Sequence, residues 1–127
     1  MLIHPDAELE VLSMRVMDTW NGLKEPCDLQ AVADGRWFEW RRLNPNATGA
    51  EDEEFRKECG YFDARNAQEV ANERVDEAIE ALCEVRAQSL RGLIAKAQAA
   101  EFVGYDNGDE IASSIVDDLL ALWTVQS

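Results

Sequence analysis

Glu69, Glu73, Asp76, Glu77, Glu80 and Glu84 follow one another at steps of four, three, one, three and four residues. At about 100° per residue they share one side of a helix, opposite Ala71, Val75, Ala78, Ile79, Leu82 and Val85. Carboxylates one helical turn apart can hold Mg²⁺ against a triphosphate. They can also imitate a phosphate backbone. Six charges over fifteen steps of about 1.5 Å give one per roughly 4 Å, near the spacing of about 3.4 Å along one strand of duplex DNA. With the cluster Glu51-Asp52-Glu53-Glu54, such a stripe would fit a basic groove built for DNA or RNA. The plainer expectation is the solvated face of an amphipathic helix.

The second concentration of chemistry is Arg36-Trp37-Phe38-Glu39-Trp40-Arg41-Arg42. Tryptophan beside arginine is what binding hot spots favour, because both bury large areas with directional contacts. Arg36, Trp37, Trp40, Arg41 and Arg42 are therefore the candidate partner-binding residues. The competing expectation is that Trp37 and Trp40, three apart on one helical face, pack internally while the arginines pair with the acidic helix.

Other sets are weaker. Cys27, Cys59 and Cys83 are scattered, and His4 is the sole histidine, so neither a zinc site nor a Cys–His pair is expected. The thiols read as small buried hydrophobes in a reducing compartment. Asp106-Asn107-Gly108-Asp109 lacks the spacing of a calcium loop and reads as a turn with a helix cap. No phosphate-binding glycine loop and no nucleophile elbow occurs. No catalytic residue, metal or cofactor is expected.

The elements that must position these residues follow from composition and period. The 127 residues suit one domain with its own core, and 46% of them are apolar. A net charge of −14 argues against direct nucleic-acid binding, which needs a cationic surface. No apolar run is long enough to span a bilayer, and MLIHPDAELE has neither the basic nor the apolar region of a signal peptide. A cytoplasmic protein that binds no membrane is expected.

Helical period dominates throughout, predicting an all-α bundle of four to five helices around one long central helix. The first helix is expected from about Pro5 to Asn21, with Asp6 and Glu8 at its positive end and Leu9, Leu12, Val16, Trp20 and Leu23 on one face. Residues 24–49 read as an irregular connection with one or two short helices, the better one over Arg36 to Leu43. Thr48 and Glu51 form a capping-box pattern, and a kink is expected near Gly60. From about 64 to 103 the pattern stays helical, a rod of about 60 Å if straight, with Gly92 as the place to bend. After a turn at 104–109, Ile111, Ile115, Leu119, Leu122 and Trp123 are expected inside, with Asp117 and Asp118 pointing away. The long helix is acidic in its first part and mildly basic in its second, through Arg86, Arg91 and Lys96, which is compatible with an antiparallel homodimer.

Two resemblances add to this. Glu73-x-x-Asp76-Glu77-x-x-Glu80 resembles the carboxylate spacing of all-α Mg-dependent nucleotide pyrophosphatases, which also need a facing acidic helix and basic residues for phosphate. His4-Pro5-Asp6-Ala7-Glu8-Leu9, Ser89-Leu90-Arg91-Gly92-Leu93-Ile94-Ala95-Lys96-Ala97 and Asp118-Leu119-Leu120-Ala121 resemble a group of short helical proteins of alphaproteobacteria and their prophages. That likeness covers about half of the chain, and 24–62 has no counterpart in it. The group carries no established activity, so the resemblance implies a helical fold and a mobile-element origin and transfers no catalytic residue.

The expected function is a non-enzymatic acidic helical module for protein–protein interaction, of phage or mobile-element origin. Its alternative is a nucleic-acid mimic inhibiting a DNA- or RNA-binding defence or processing protein, of anti-CRISPR or anti-restriction type. A nucleotide pyrophosphatase is the third reading.

Overall fold

A computed structural model describes residues 3–104 and 106–126, apart from the side chains of 125 and 126. The protein is all-α. Among the described residues the helices run α1 (Ala7–Asn21), α2 (Lys24–Leu43), α3 (Gly49–Glu58), α4 (Tyr61–Glu84), α5 (Leu90–Val103) and α6 (Asp109–Gln126). The longest is α4, with 24 residues. No helix of the described residues is long and apolar enough to cross a membrane.

Local chemistry accounts for several boundaries. The Thr48 hydroxyl accepts from the Glu51 amide at 3.2 Å and the Glu51 carboxylate accepts from the Thr48 amide at 3.2 Å, the expected capping box starting α3. Gly60, at φ 84°, turns the chain between α3 and α4 in a conformation that other residues rarely adopt. Tyr105, within the expected 104–109 turn, lies outside the described residues.

The connection expected at 24–49 is helical for most of its length. Pro26 sits in the first turn of α2, where its missing N–H would have no intrahelical acceptor. Gly35, in mid-helix, costs about 1 kcal/mol relative to alanine without breaking α2. Conversely, the continuous run expected over 64–103 is interrupted at 85–89, upstream of Gly92. The amides there leave the helix ladder for distant carboxylates. Ala87 N–H donates to Asp118 Oδ2 at 3.0 Å and Gln88 N–H to Asp6 Oδ1 at 3.0 Å.

The chain divides into two compact units, residues 22–73 and residues 1–21 with 74–127. In the second unit α5 packs against both α1 and α6. Its core includes Leu9, Leu12 and Val16 of α1, Val75, Ala78, Ile79 and Leu82 of α4, Ala99 and Val103 of α5, and Ile111 of α6. Buried residues of α1 and α4 follow the expected stripes. The 22–73 unit buries far less, with Ala33, Ala64 and Ala71 as its buried apolar residues among those described.

Candidate interaction surface and buried polar ties

In the 22–73 unit, α2 and α3 form a helical hairpin that answers the question posed by the Trp/Arg segment. Trp37 and Trp40 are half-buried, whereas Arg36, Arg41 and Arg42 are exposed. The Trp37 indole N–H donates to Asp52 Oδ2 at 3.0 Å, and Asp52 Oδ1 pairs with Arg56 Nε at 2.9 Å. The Arg56 guanidinium lies 5.1 Å from the ring centroids of both Trp37 and Phe62 and 5.7 Å from that of Tyr61. Arg41 covers Trp37 at 5.1 Å. Trp40 stacks on Phe55 at 4.8 Å with the planes 9° apart. Cation–π and stacking contacts thus hold the hairpin where few aliphatic side chains are buried.

Five candidate residues were expected to act together, and the hairpin gives them different work. Trp37 is internal cement. Trp40 lines two open concavities, one of about 700 Å³ with Val32, Arg36 and Leu43, the other of about 620 Å³ with Arg41 and Arg42. Arg42 is engaged with Glu39 at 2.5 Å, and that hydrogen bond holds the Glu39 carboxyl below its usual range. Asp52 and Arg56 were missed as partners of Trp37. Their signal was an i, i+4 acid–base pair, obscured by reading Glu51 to Glu54 as one acidic cluster.

All six stripe carboxylates on α4, Glu69, Glu73, Asp76, Glu77, Glu80 and Glu84, are exposed. Glu69 lies 3.5 Å from Arg65. The other five make no ion pair among the described residues. No group of three or more His, Cys, Asp or Glu among the described residues is arranged to hold a metal ion.

The other unit carries polar groups that the sequence analysis placed wrongly. Asp6 does not serve α1 from the surface; it is fully buried and caps α5. Its carboxylate accepts from Gln88 N–H at 3.0 Å, Ser89 Oγ at 2.6 Å and Gly92 N–H at 3.1 Å. Burial pushes its pKa up, but these donors more than offset that and hold it below the ordinary value. A Cβ on Gly92 would stand 2.5 Å from Asp6 Oδ2, so glycine here admits the cap instead of bending the helix.

Asp118 also points inward, contrary to expectation. Buried Lys96 donates to Asp118 Oδ2 at 2.6 Å and to Ser114 Oγ at 2.7 Å. Because Asp118 also receives the Ala87 amide, this pair joins α5, α6 and the break after α4. The cluster is thus a structural tie between these elements. Burial, with the Glu110 charge adding, raises the Cys83 thiol pKa.

Comparison of the chain with protein-family models, curated proteins and solved structures finds no match.

Proposed function

We propose that this chain is a non-enzymatic protein-interaction module that receives its partner on the α2–α3 hairpin. The observation that carries the reading is the open apolar groove between these helices. Val32 and Leu43 line it at 54% and 64% exposure, with Trp40 and Phe55 at its floor and Arg36, Glu39 and Glu58 among its lining. A surface with an aromatic centre and a charged rim has the composition of a binding hot spot. The test is affinity capture from host lysate, eluted with rising salt. A partner that persists through high salt and is lost from the Val32→Glu/Leu43→Glu variant supports the hairpin.

The exposure of all six α4 carboxylates favours a second reading, nucleic-acid mimicry. Its partner would leave at moderate salt. The Glu73→Lys/Glu77→Lys/Glu80→Lys variant would lose that partner, whereas the hairpin variant would keep it.

A further inference from the structure

The break at 85–89 is not dictated by the residues that form it. Val85-Arg86-Ala87-Gln88-Ser89 holds no proline or glycine, and arginine, alanine and glutamine are among the stronger helix formers. Ser89 stands at the N-cap of α5, yet its own side chain makes no capping bond there. Asp6, just upstream of α1, supplies the cap by accepting from the Gln88 and Gly92 amides, and Asp118 of α6 holds the Ala87 amide. Without the two carboxylates, the amides of 87, 88 and 92 would find carbonyls four residues back, and α4 would run into α5 as one helix. The break is a hinge held shut from outside.

What lies beyond the hinge is an arm with its own internal tie. Lys96 of α5 donates to Ser114 and Asp118 of α6, so α5 and α6 travel together. The arm packs on α1 through α5, and Leu93, Ala95, Ala99, Val103 and Ile111 are among its buried residues. Swung out of its own unit, it needs a surface that matches them, and a second copy of the chain offers the same one. That copy would bring Ser13 Oγ to the Ala95 carbonyl and the Glu10 carboxylate to Arg91, contacts that stand at 2.7 Å and 3.0 Å in the closed chain. We propose that the 85–89 break is an exchange hinge, by which two copies of this chain straighten α4 into α5 and swap their α5–α6 arms. Gly92 holds the balance on the closed side, because it leaves room for the Asp6 carboxylate and weakens a helix running through it. The exchange uses no residue of the α2–α3 groove and stands independently of its partner.

Sedimentation equilibrium of the full chain across a concentration series tests the hinge. Gly92→Ala evicts Asp6 and favours the straight helix, so its dimer dissociation constant should fall at least ten-fold below that of the natural chain. Asp6→Ala, which removes the cap without filling its place, should act in the same direction and gives the reading if Gly92→Ala fails to fold by circular dichroism. Leu90→Pro separates the closed form from the exchanged one. Position 90 opens α5 after Ser89, which is extended at φ −155° and ψ 173°, a setting that suits proline. Inside a continuous helix the same proline is a breaker. Adding Leu90→Pro to either variant should therefore restore the dissociation constant of the natural chain. In a mixture of isotope-labelled and unlabelled chains of the dimerising variant, nuclear Overhauser contacts between Ser13 and Ala95 should pass from one copy to the other. Dimerisation of the folded variants no stronger than that of the natural chain would overturn the proposal. So would a dimer that Leu90→Pro leaves intact, or one whose Ser13–Ala95 contacts stay within each copy, because the copies would then associate without exchange.

Discussion

The two units of this molecule spend their apolar and polar residues in opposite ways. Residues 1–21 with 74–127 bury aliphatic side chains from four helices and place Asp6, Lys96 and Asp118 among them, each satisfied by defined partners. Residues 22–73 bury three alanines among the described residues, stack their aromatic rings around Arg56 and leave Leu29, Val32, Phe38 and Leu43 exposed. The first unit has an aliphatic core and still exposes Val11, Leu90, Val116, Leu119 and Trp123, whereas the second exposes apolar side chains with almost no such core. The lesson is that a short helical chain can be held by aliphatic burial in one part and by ring stacking and cation–π contacts in another.

The comparison can be broken most directly at the buried ion pair. Lys96→Met leaves the buried Asp118 carboxylate with only the exposed Arg86, 4.0 Å away, and should cost about 3–5 kcal/mol in urea unfolding. Adding Asp118→Leu should return most of that loss, because a buried pair replaced by apolar residues is often neutral. If the single variant unfolds at the wild-type midpoint, the tie does not hold the unit.

Glycine-to-alanine changes should have opposite signs in the two units. Gly92→Ala drives a methyl into Asp6 and should cost about 1–3 kcal/mol. Gly35→Ala meets nothing within 4 Å and should stabilise by about 0.5–1 kcal/mol through helix propensity. Unfolding curves of the two variants check both signs, and destabilisation by Gly35→Ala would mean that the groove it lines is tighter than described.

Removal of the long-range cap, in Asp6→Asn, should cost about 0.5–2 kcal/mol near neutral pH. The Asp6 carboxyl pKa is lowered on folding, so its contribution is complete above the unfolded value of about 3.9 and is lost as pH falls through the folded value. The stability difference between wild type and Asp6→Asn should stay level above about pH 5 and shrink below about pH 4. A difference that grows toward acid would exclude Asp6 as a charged cap. At the small end, Arg42→Ala should not measurably shift the unfolding midpoint, because its pair with Glu39 is exposed to water on both sides. A shift would show that the hairpin depends on its rim.

What the sequence by itself determined is local. The Thr48–Glu51 box, the Gly60 turn, the stop at Asn21-Gly22 and the buried stripe from Ala71 to Leu82 arise from residues within a turn or two of one another, where spacing dictates contact. The all-α class follows from the same periodicity. Tertiary structure alone decided where the long helical run breaks, since no proline or glycine lies at 85–89 and the amides freed there bind carboxylates of residues 6 and 118. It also decided which side of α6 turns inward. The period places Ile111, Ile115, Leu119, Leu122 and Trp123 inside, yet Leu119 and Trp123 are exposed. The choice falls to buried Lys96, which draws in Asp118 and Ser114 and leaves Leu119 and Trp123 outside. A buried charge must find its counter-charge wherever the fold can supply one, and the partner 22 residues away is not written in any local pattern.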